Sequence, residues 1–307
     1  MVSLYQKRML NKIIYTILGF GIAFVFFPHA AHDTKSPAVS GIDIQKAEAR
    51  PENAAPEMAL NLSSPVLTAK SAIAYDLDSG IVLYSKNLDE KLPIASLTKL
   101  MTALIVVKSG KLNSEVIIAK SEQGVIGSTM GLVIGEKITA NNLLKGMLIS
   151  SSNDAALALS DFAAGSPEKF AEVMNQQAQR LGLTATHFDN PVGWDSDENY
   201  SNTLDLIKMS EEVLKYPELV EIVKTREATV YSVDKKFVHK LTSTNQLLLD
   251  DPNVEGLKTG FTSKALGNLV ILYDHEGSKI LTVVLGSENR EQDSKKLLDW
   301  LFTVYKW

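Results

Sequence analysis

Polar and apolar positions change rhythm several times along the chain. Ile13 to Phe27 is an uncharged apolar run preceded by Lys7, Arg8 and Lys12. Its 15 residues are long for the core of an export signal and short of the about 20 that comfortably span a bilayer. It therefore predicts either a cleaved signal peptide or an uncleaved N-terminal anchor, and in both cases the basic flank sends the remainder across the membrane. From His32 to Ser64 the apolar period disappears and Ala, Ser, Pro and Glu dominate, which predicts a flexible linker. Thr68 to Asn87 then brings two β-rich runs around Asp78-Ser79-Gly80, a hairpin pattern, and Leu266 to Ser287 repeats it around Asp274-His275-Glu276-Gly277. An amphipathic helix is predicted from Glu291 to the end. Between the hairpins the helical period prevails, as in ANNLLKGMLIS and EKFAEVMNQQAQRLGL. Strands at both ends of a helical middle predict an α+β fold, an antiparallel sheet flanked by helices plus a helical lobe. The expected division is a signal or anchor over 1–31, a linker over 32–64 and one globular domain over 65–307.

Composition narrows the chemistry. In 307 residues there is no cysteine, so disulfides, thiolate metal sites and a cysteine nucleophile are all excluded. The five histidines, His29, His32, His187, His239 and His275, show no metal-ligand spacing, and neither a metal nor a cofactor is expected. A net charge of −5, with acids and bases mixed along the chain, gives no basic stripe for nucleic acid.

The central apolar helix carries the first candidate chemistry. In IASLTKLMTALI, Leu97, Leu100, Met101, Leu104 and Ile105 recur at helical spacing and predict a buried stripe starting just after Pro93. Ser96 and Lys99 break the run. Ser96 could cap the helix while Lys99 reaches to water; alternatively, one turn places the Lys99 amine over the Ser96 hydroxyl, as a base for a nucleophile. Ser-x-x-Lys recurs at Ser166 to Lys169 and Ser232 to Lys235, but neither copy is expected to open a helix with a buried face. In MLISSSNDAALAL, Ser151 and Asn153 stand at a polar break between two helical runs, either as a helix cap or as exposed site groups. In VEGLKTGFTS, Lys258-Thr259-Gly260 lies on a strand-like segment where glycine permits close backbone approach. Lys108-Ser109-Gly110 is a similar triplet, expected to end the first helix.

Ser-x-x-Lys, Ser-x-Asn and Lys-Thr-Gly, in that order, form the motif set of penicillin-binding proteins and class A β-lactamases. With NPVGWDSDENYSNTLDL, these segments make the chain, from about Val66 onward, similar to low-molecular-mass penicillin-binding proteins of the D-alanyl-D-alanine carboxypeptidase family. The resemblance implies a penicillin-binding-protein/β-lactamase-like fold and a serine carboxypeptidase. Its substrate would be the peptidoglycan stem peptide ending in D-Ala-D-Ala, and β-lactams would be covalent inhibitors. By the same resemblance Ser96 is the nucleophile, Lys99 its base and Ser151 the proton relay to the leaving amine. Asn153 holds the substrate amide, Lys258, Thr259 and Gly260 form the carboxylate-binding strand, and the backbone N–H groups of Ser96 and Phe261 form the oxyanion hole. Phe261 departs from the hydrophilic His or Thr usual in the family. Family members often carry a further β-rich domain and a C-terminal amphipathic anchor. Because this sequence stops at Trp307, membrane attachment is expected through the N-terminal segment, on the extracytoplasmic face of the cell membrane. Three alternatives stay open: a β-lactamase using Glu198 in Glu198-x-x-x-Asn202, an endopeptidase cutting D-Ala cross-links, and a membrane-tethered sensor that binds penicillin without turnover.

Overall fold

The structure, a computed structural model, describes residues 55–119 and 124–307. The chain divides into two units, Met1–Ala49 and Arg50–Trp307; all described residues belong to the second, so the predicted signal or anchor and most of the predicted linker lie outside them. Among the described residues no helix is long and apolar enough to cross a membrane.

Five strands, β1 (Ser71–Asp76), β2 (Ile81–Lys86), β3 (Val254–Thr262), β4 (Leu266–His275) and β5 (Ser278–Ser287), form one antiparallel sheet in the order β3-β4-β5-β1-β2. Both predicted hairpins are present. In the first, Asp76 accepts from the backbone and hydroxyl of Ser79 at 2.8 and 2.7 Å, and Gly80 turns the chain at φ +72°, a conformation that glycine adopts without a Cβ clash. The second turn is tighter than predicted. Asp274 and His275 remain in β4, and Glu276 and Gly277 alone turn, at φ +53° and +93°, the two-residue geometry that matches strand twist.

Side chains alternate across the central strands, so each strand feeds two cores. Ile73, Val270, Leu272, Leu281 and Val283 face the helical lobe, whereas Ala72, Ala74, Leu269, Ile271 and Val284 pack with Leu297, Leu298 and Leu301 of α8 (Arg290–Val304). With both faces covered, the strands read as near-continuous apolar runs. The last predicted helix ends sooner than expected: Tyr305–Lys306 leave α8 as a short strand that pairs with Glu57–Met58. Residues read as the end of a linker thus lie in register on the domain.

The lobe consists of α1 (Lys99–Lys108), α2 (Ala140–Ile149), α3 (Asn153–Ala164), α4 (Pro167–Arg180), α5 (Thr203–Leu214) and α6 (Pro217–Val223), while the short α7 (Gln246–Asp250) packs through Leu248 into the core on the α8 side of the sheet. α1 differs from its predicted one-sided stripe. Lys99 through Leu104, Val106 and Val107 are all buried while Ile105 is only half-buried, the signature of a helix enclosed on every side. It ends as expected, with Gly110 at φ +67° donating to Val107 O at 3.1 Å. The second Ser-x-x-Lys corrects the sequence reading: Ser166 caps α4 by accepting from Lys169 N, and α4 does bury a face, through Phe170 and Met174. Its Lys169 side chain is nevertheless exposed, so the pair has no enclosed chemistry.

Candidate active site

The site lies where the N-terminal end of α1 meets edge strand β3. Ser96 does not cap α1. It sits in a 3₁₀ turn, Ala95–Thr98, that runs directly into the helix, and no side chain caps either element. Ala95, just before it, is held at φ +46°, a conformation that costs a non-glycine residue about 1–3 kcal/mol and gathers at functional sites. Ser151 shows the same feature at φ +58°.

Lys99 does not reach water either. It is fully buried, and its Nζ lies 2.8 Å from Ser96 Oγ, 2.8 Å from Asn153 Oδ1 and 2.7 Å from Val192 O. Burial first, and then the nearby Lys258 ammonium, hold the Lys99 pKa well below the usual lysine value, against the opposing pull of the Asp154 carboxylate. The three partners also orient the amine. Asn153 Oδ1 and Val192 O can only accept, so each takes one N–H of Lys99, and the third position on the nitrogen, which donates to Ser96 Oγ, is the one that would turn a lone pair to that hydroxyl in the neutral amine. The amine is thereby aimed at the proton it would remove.

Lys258 is also buried and donates to Ser151 Oγ at 2.9 Å and Thr259 O at 3.0 Å. Burial, followed by the charge of Arg290, pushes its pKa down to about 7. Thr259 Oγ1 is 2.6 Å from Thr244 Oγ1. Phe261 is 66% exposed near the end of β3 and lines a surface cavity with Gly267 and Glu288–Glu291 at the start of α8. Asn153 is more engaged than the sequence reading implies: besides receiving Lys99, its Nδ2 donates to Ile126 O at 2.7 Å. Both ends of its carboxamide are taken, and its visible work is to hold Lys99. The cap reading of this segment fails, because Ser152 at the N-cap of α3 makes no side-chain cap bond and its Oγ lies 2.9 Å from Ser150 Oγ instead.

Two glycines from separate segments press on the Ile94–Ser96 backbone. A Cβ on Gly193 would lie 2.0 Å from Ala95 O and 2.9 Å from Ser96 N, and one on Gly260 would lie 2.8 Å from Ile94 O and 3.2 Å from Ser96 N. Gly193→Ala is therefore expected to displace the Ala95–Ser96 peptide and slow acylation of Ser96 by at least about a hundredfold, measured as the rate of penicillin labelling; an unchanged rate would refute this.

Further participants lie outside the three short motifs, Asn190 within the NPVGW segment and Arg290 at the start of α8. Asn190 Oδ1 accepts from the backbone of Val192, Gly193 and Trp194 at 3.2, 2.7 and 3.0 Å, shaping the loop that delivers Val192 O to Lys99. Arg290, the first residue of α8, donates to Gly260 O at 2.9 Å. Their contribution is backbone placement or distant charge, which leaves no periodic or spaced pattern. Glu198, by contrast, points outward with a side chain 67% exposed, and Asn202 caps α5 by accepting from Asp205 N at 2.8 Å. The Glu-x-x-x-Asn pattern is thus an exposed acid followed by a helix cap.

A serine and a buried lysine amine 2.8 Å apart, at the turn that leads into α1 beside the edge of a five-stranded antiparallel sheet, lie in a fold of the penicillin-binding-protein type. The chain belongs to the D-alanyl-D-alanine carboxypeptidase family, peptidase S11, whose model matches residues 58–289. It is 37% identical over 247 residues to D-alanyl-D-alanine carboxypeptidase DacF of Bacillus subtilis, covering 78% of this chain and 63% of that protein. It is 33% identical over 258 residues to DacA of Escherichia coli, covering 79% and 62%. The chain thus spans somewhat less than two thirds of the length of these relatives. Among solved structures, the Streptomyces K15 DD-transpeptidase superposes with a TM-score of 0.75 at 30% identity, covering 79% of this chain and 100% of that one. Penicillin-binding protein 5 from Haemophilus influenzae does so with a TM-score of 0.72 at 33% identity, covering 79% and 73%.

Proposed function

We propose that the chain is a serine-type D-Ala-D-Ala carboxypeptidase that removes the terminal D-Ala from peptidoglycan stem peptides. The observation that carries this reading is the 2.8 Å contact between Ser96 and a buried lysine amine whose other two partners can only accept. Lys99 removes the Ser96 proton, and Ser96 Oγ attacks the carbonyl of the penultimate D-Ala. The backbone N–H groups of Ser96 and Phe261 receive the oxyanion, at about 3 kcal/mol per donor. The close approach of Gly260 to Ser96 N supports bringing these two groups together. The tetrahedral adduct collapses as Ser151 relays to the leaving amine the proton that Lys99 took from Ser96, giving the Ser96 acyl-enzyme, a neutral Lys99 and free D-Ala; water then hydrolyses the ester, its hydroxyl going to the acyl carbon and its proton back to Ser96 Oγ. Lys258 and Thr259 bind the terminal carboxylate, the feature of an exopeptidase. β-Lactams acylate the same serine and stay tethered there. The N-terminal apolar run would deliver the domain to the outer face of the cell membrane, as an anchor or as a cleaved signal.

The test is to incubate the full chain with a fluorescent penicillin and, separately, with a pentapeptide ending in D-Ala-D-Ala. A covalent adduct together with free D-Ala supports the proposal. An adduct without D-Ala release indicates a sensor, and the absence of both refutes the assignment. Because Glu198 is exposed, Glu198→Gln is expected to leave penicillin retention and peptide turnover within about twofold of wild type, in line with surface substitutions of small effect. Fast penicillin hydrolysis that disappears in Glu198→Gln would instead establish the lactamase.

A further inference from the structure

Far from the motifs, His239 and Glu136 form an enclosed pair. His239, on the strand Val238–Thr242, has Nε2 2.7 Å from Glu136 Oε1 and Nδ1 2.9 Å from Met130 O, with side-chain exposures of 4% and 0% for His239 and Glu136. Met130 O can only accept, so Nδ1 carries its hydrogen and donates it. Glu136 Oε2 in turn accepts from Val133 N at 3.1 Å. The mechanism above uses neither residue, and a buried acid with a buried imidazole is costly unless both are paired and hydrogen-bonded, as they are here.

The segment they grip borders the site. Met130, Gly131 and Leu132 donate their backbone N–H groups to the Asp154 carboxylate at 3.0 to 3.2 Å. Upstream, Ser128 O accepts from Asn153 N and Ile126 O accepts from Asn153 Nδ2, each at 2.7 Å. The fit is tight: Gly127 has φ +96°, and a Cβ there would lie 2.6 Å from Asn153 Nδ2. The Ile126 carbonyl decides which end of the Asn153 carboxamide faces Lys99. With Nδ2 tied to Ile126, Oδ1 points at the amine; released, the amide could turn and present N–H groups to it.

We propose that His239, together with Glu136, is a positioning residue of this site: it clamps the backbone of residues 126–133 so that Ile126 O fixes Asn153 and Asn153 fixes Lys99. The inference rests on the carboxypeptidase reading and deepens it, by extending the apparatus that orients the base to a pair outside the motif set. Removing the clamp should slow proton removal from Ser96 and leave the carboxylate contacts of Lys258 and Thr259 untouched, so that kcat falls while KM holds.

Two variants separate this from a purely structural role. His239→Leu/Glu136→Met replaces both polar groups by apolar ones of similar size, which spares the fold an unpaired buried charge, but leaves Met130 O without its donor. It is expected to acylate with penicillin roughly ten- to a hundredfold more slowly, by loss of alignment, at a temperature well below its unfolding midpoint and with KM for the pentapeptide unchanged. Glu136→Gln keeps the clamp, because the glutamine amide can donate to Nε2 while Nδ1 still donates to Met130 O; it should acylate within about twofold of wild type, as a substitution that removes no contact to the loop. A folded double variant with the wild-type acylation rate, or a Glu136→Gln variant as slow as the double one, would overturn the proposal. If the wild-type chain is not acylated at all, it is the functional reading that fails, and the two failures are distinguishable in one labelling experiment.

Discussion

Replacing Ser96 by alanine is expected to abolish both penicillin labelling and D-Ala release while leaving the protein folded. No other hydroxyl of the site stands in the same relation to an aimed lone pair: Ser151 faces Lys258, which donates to it. The loss should reach the background of each assay, consistent with the factors of about 10⁶ seen when a nucleophile is removed from a serine hydrolase. The stability cost should be small, about 1 kcal/mol or less, because the Ser96 side chain caps no helix and contributes one hydrogen bond to Lys99. Labelling by intact-protein mass, with thermal unfolding in parallel, decides the matter. A folded Ser96→Ala protein that still takes up penicillin would remove Ser96 as the nucleophile.

The sequence was most legible where local chemistry and period agree. The turn at Asp78–Gly80, the apolar strands of the second hairpin and the helical run after Pro93 each announce themselves within a few residues. The motif serines and lysines were legible as residue types in order, and the structure gathers them into two hydrogen-bonded groups, Ser96–Lys99–Asn153 and Ser151–Lys258. What could not be read was partnership across the fold. That Asn153 is occupied by Lys99 and Ile126, that Val192 supplies a carbonyl to the base, and that Arg290 lies beside Lys258 all depend on backbone placement by distant segments. Ser166 shows the converse. Its motif is intact and its helix does bury a face, yet an exposed Lys169 leaves it with a cap and no chemistry.

Lys99→Arg is expected to lower the acylation rate by about 10³-fold or more, the span attributed to a positioned general base, even where the variant folds. A guanidinium does not deprotonate in proteins, and it cannot offer the single lone pair that the Asn153 and Val192 acceptors leave facing Ser96. Lys258→Arg should be milder because the proposed role of Lys258, a cation for the substrate carboxylate, is one that arginine can also fill. The two lysines also separate by pH. With a pKa of about 7, Lys258 is charged below that value and neutral above it, so peptide KM should rise as pH increases through 7. Lys258→Arg should flatten that rise, since its charge persists. Equal and total inactivation by both arginine variants, or a KM that falls with rising pH, would refute this division of labour.

The two glycines that enclose the Ala95–Ser96 peptide lie 67 residues apart in sequence and come from opposite halves of the architecture, Gly193 from the lobe and Gly260 from the sheet edge. Neither half can preform the nucleophile's setting alone. During refolding, reactivity toward penicillin should consequently lag behind the recovery of secondary structure and appear only when the long-range closure of sheet on lobe is complete, the slow event expected of contacts so distant along the chain. The acylating reagent is then a clock for the last step of assembly: a partly folded chain can be helical and compact, yet remain unlabelled until the lobe and the sheet edge close on the serine.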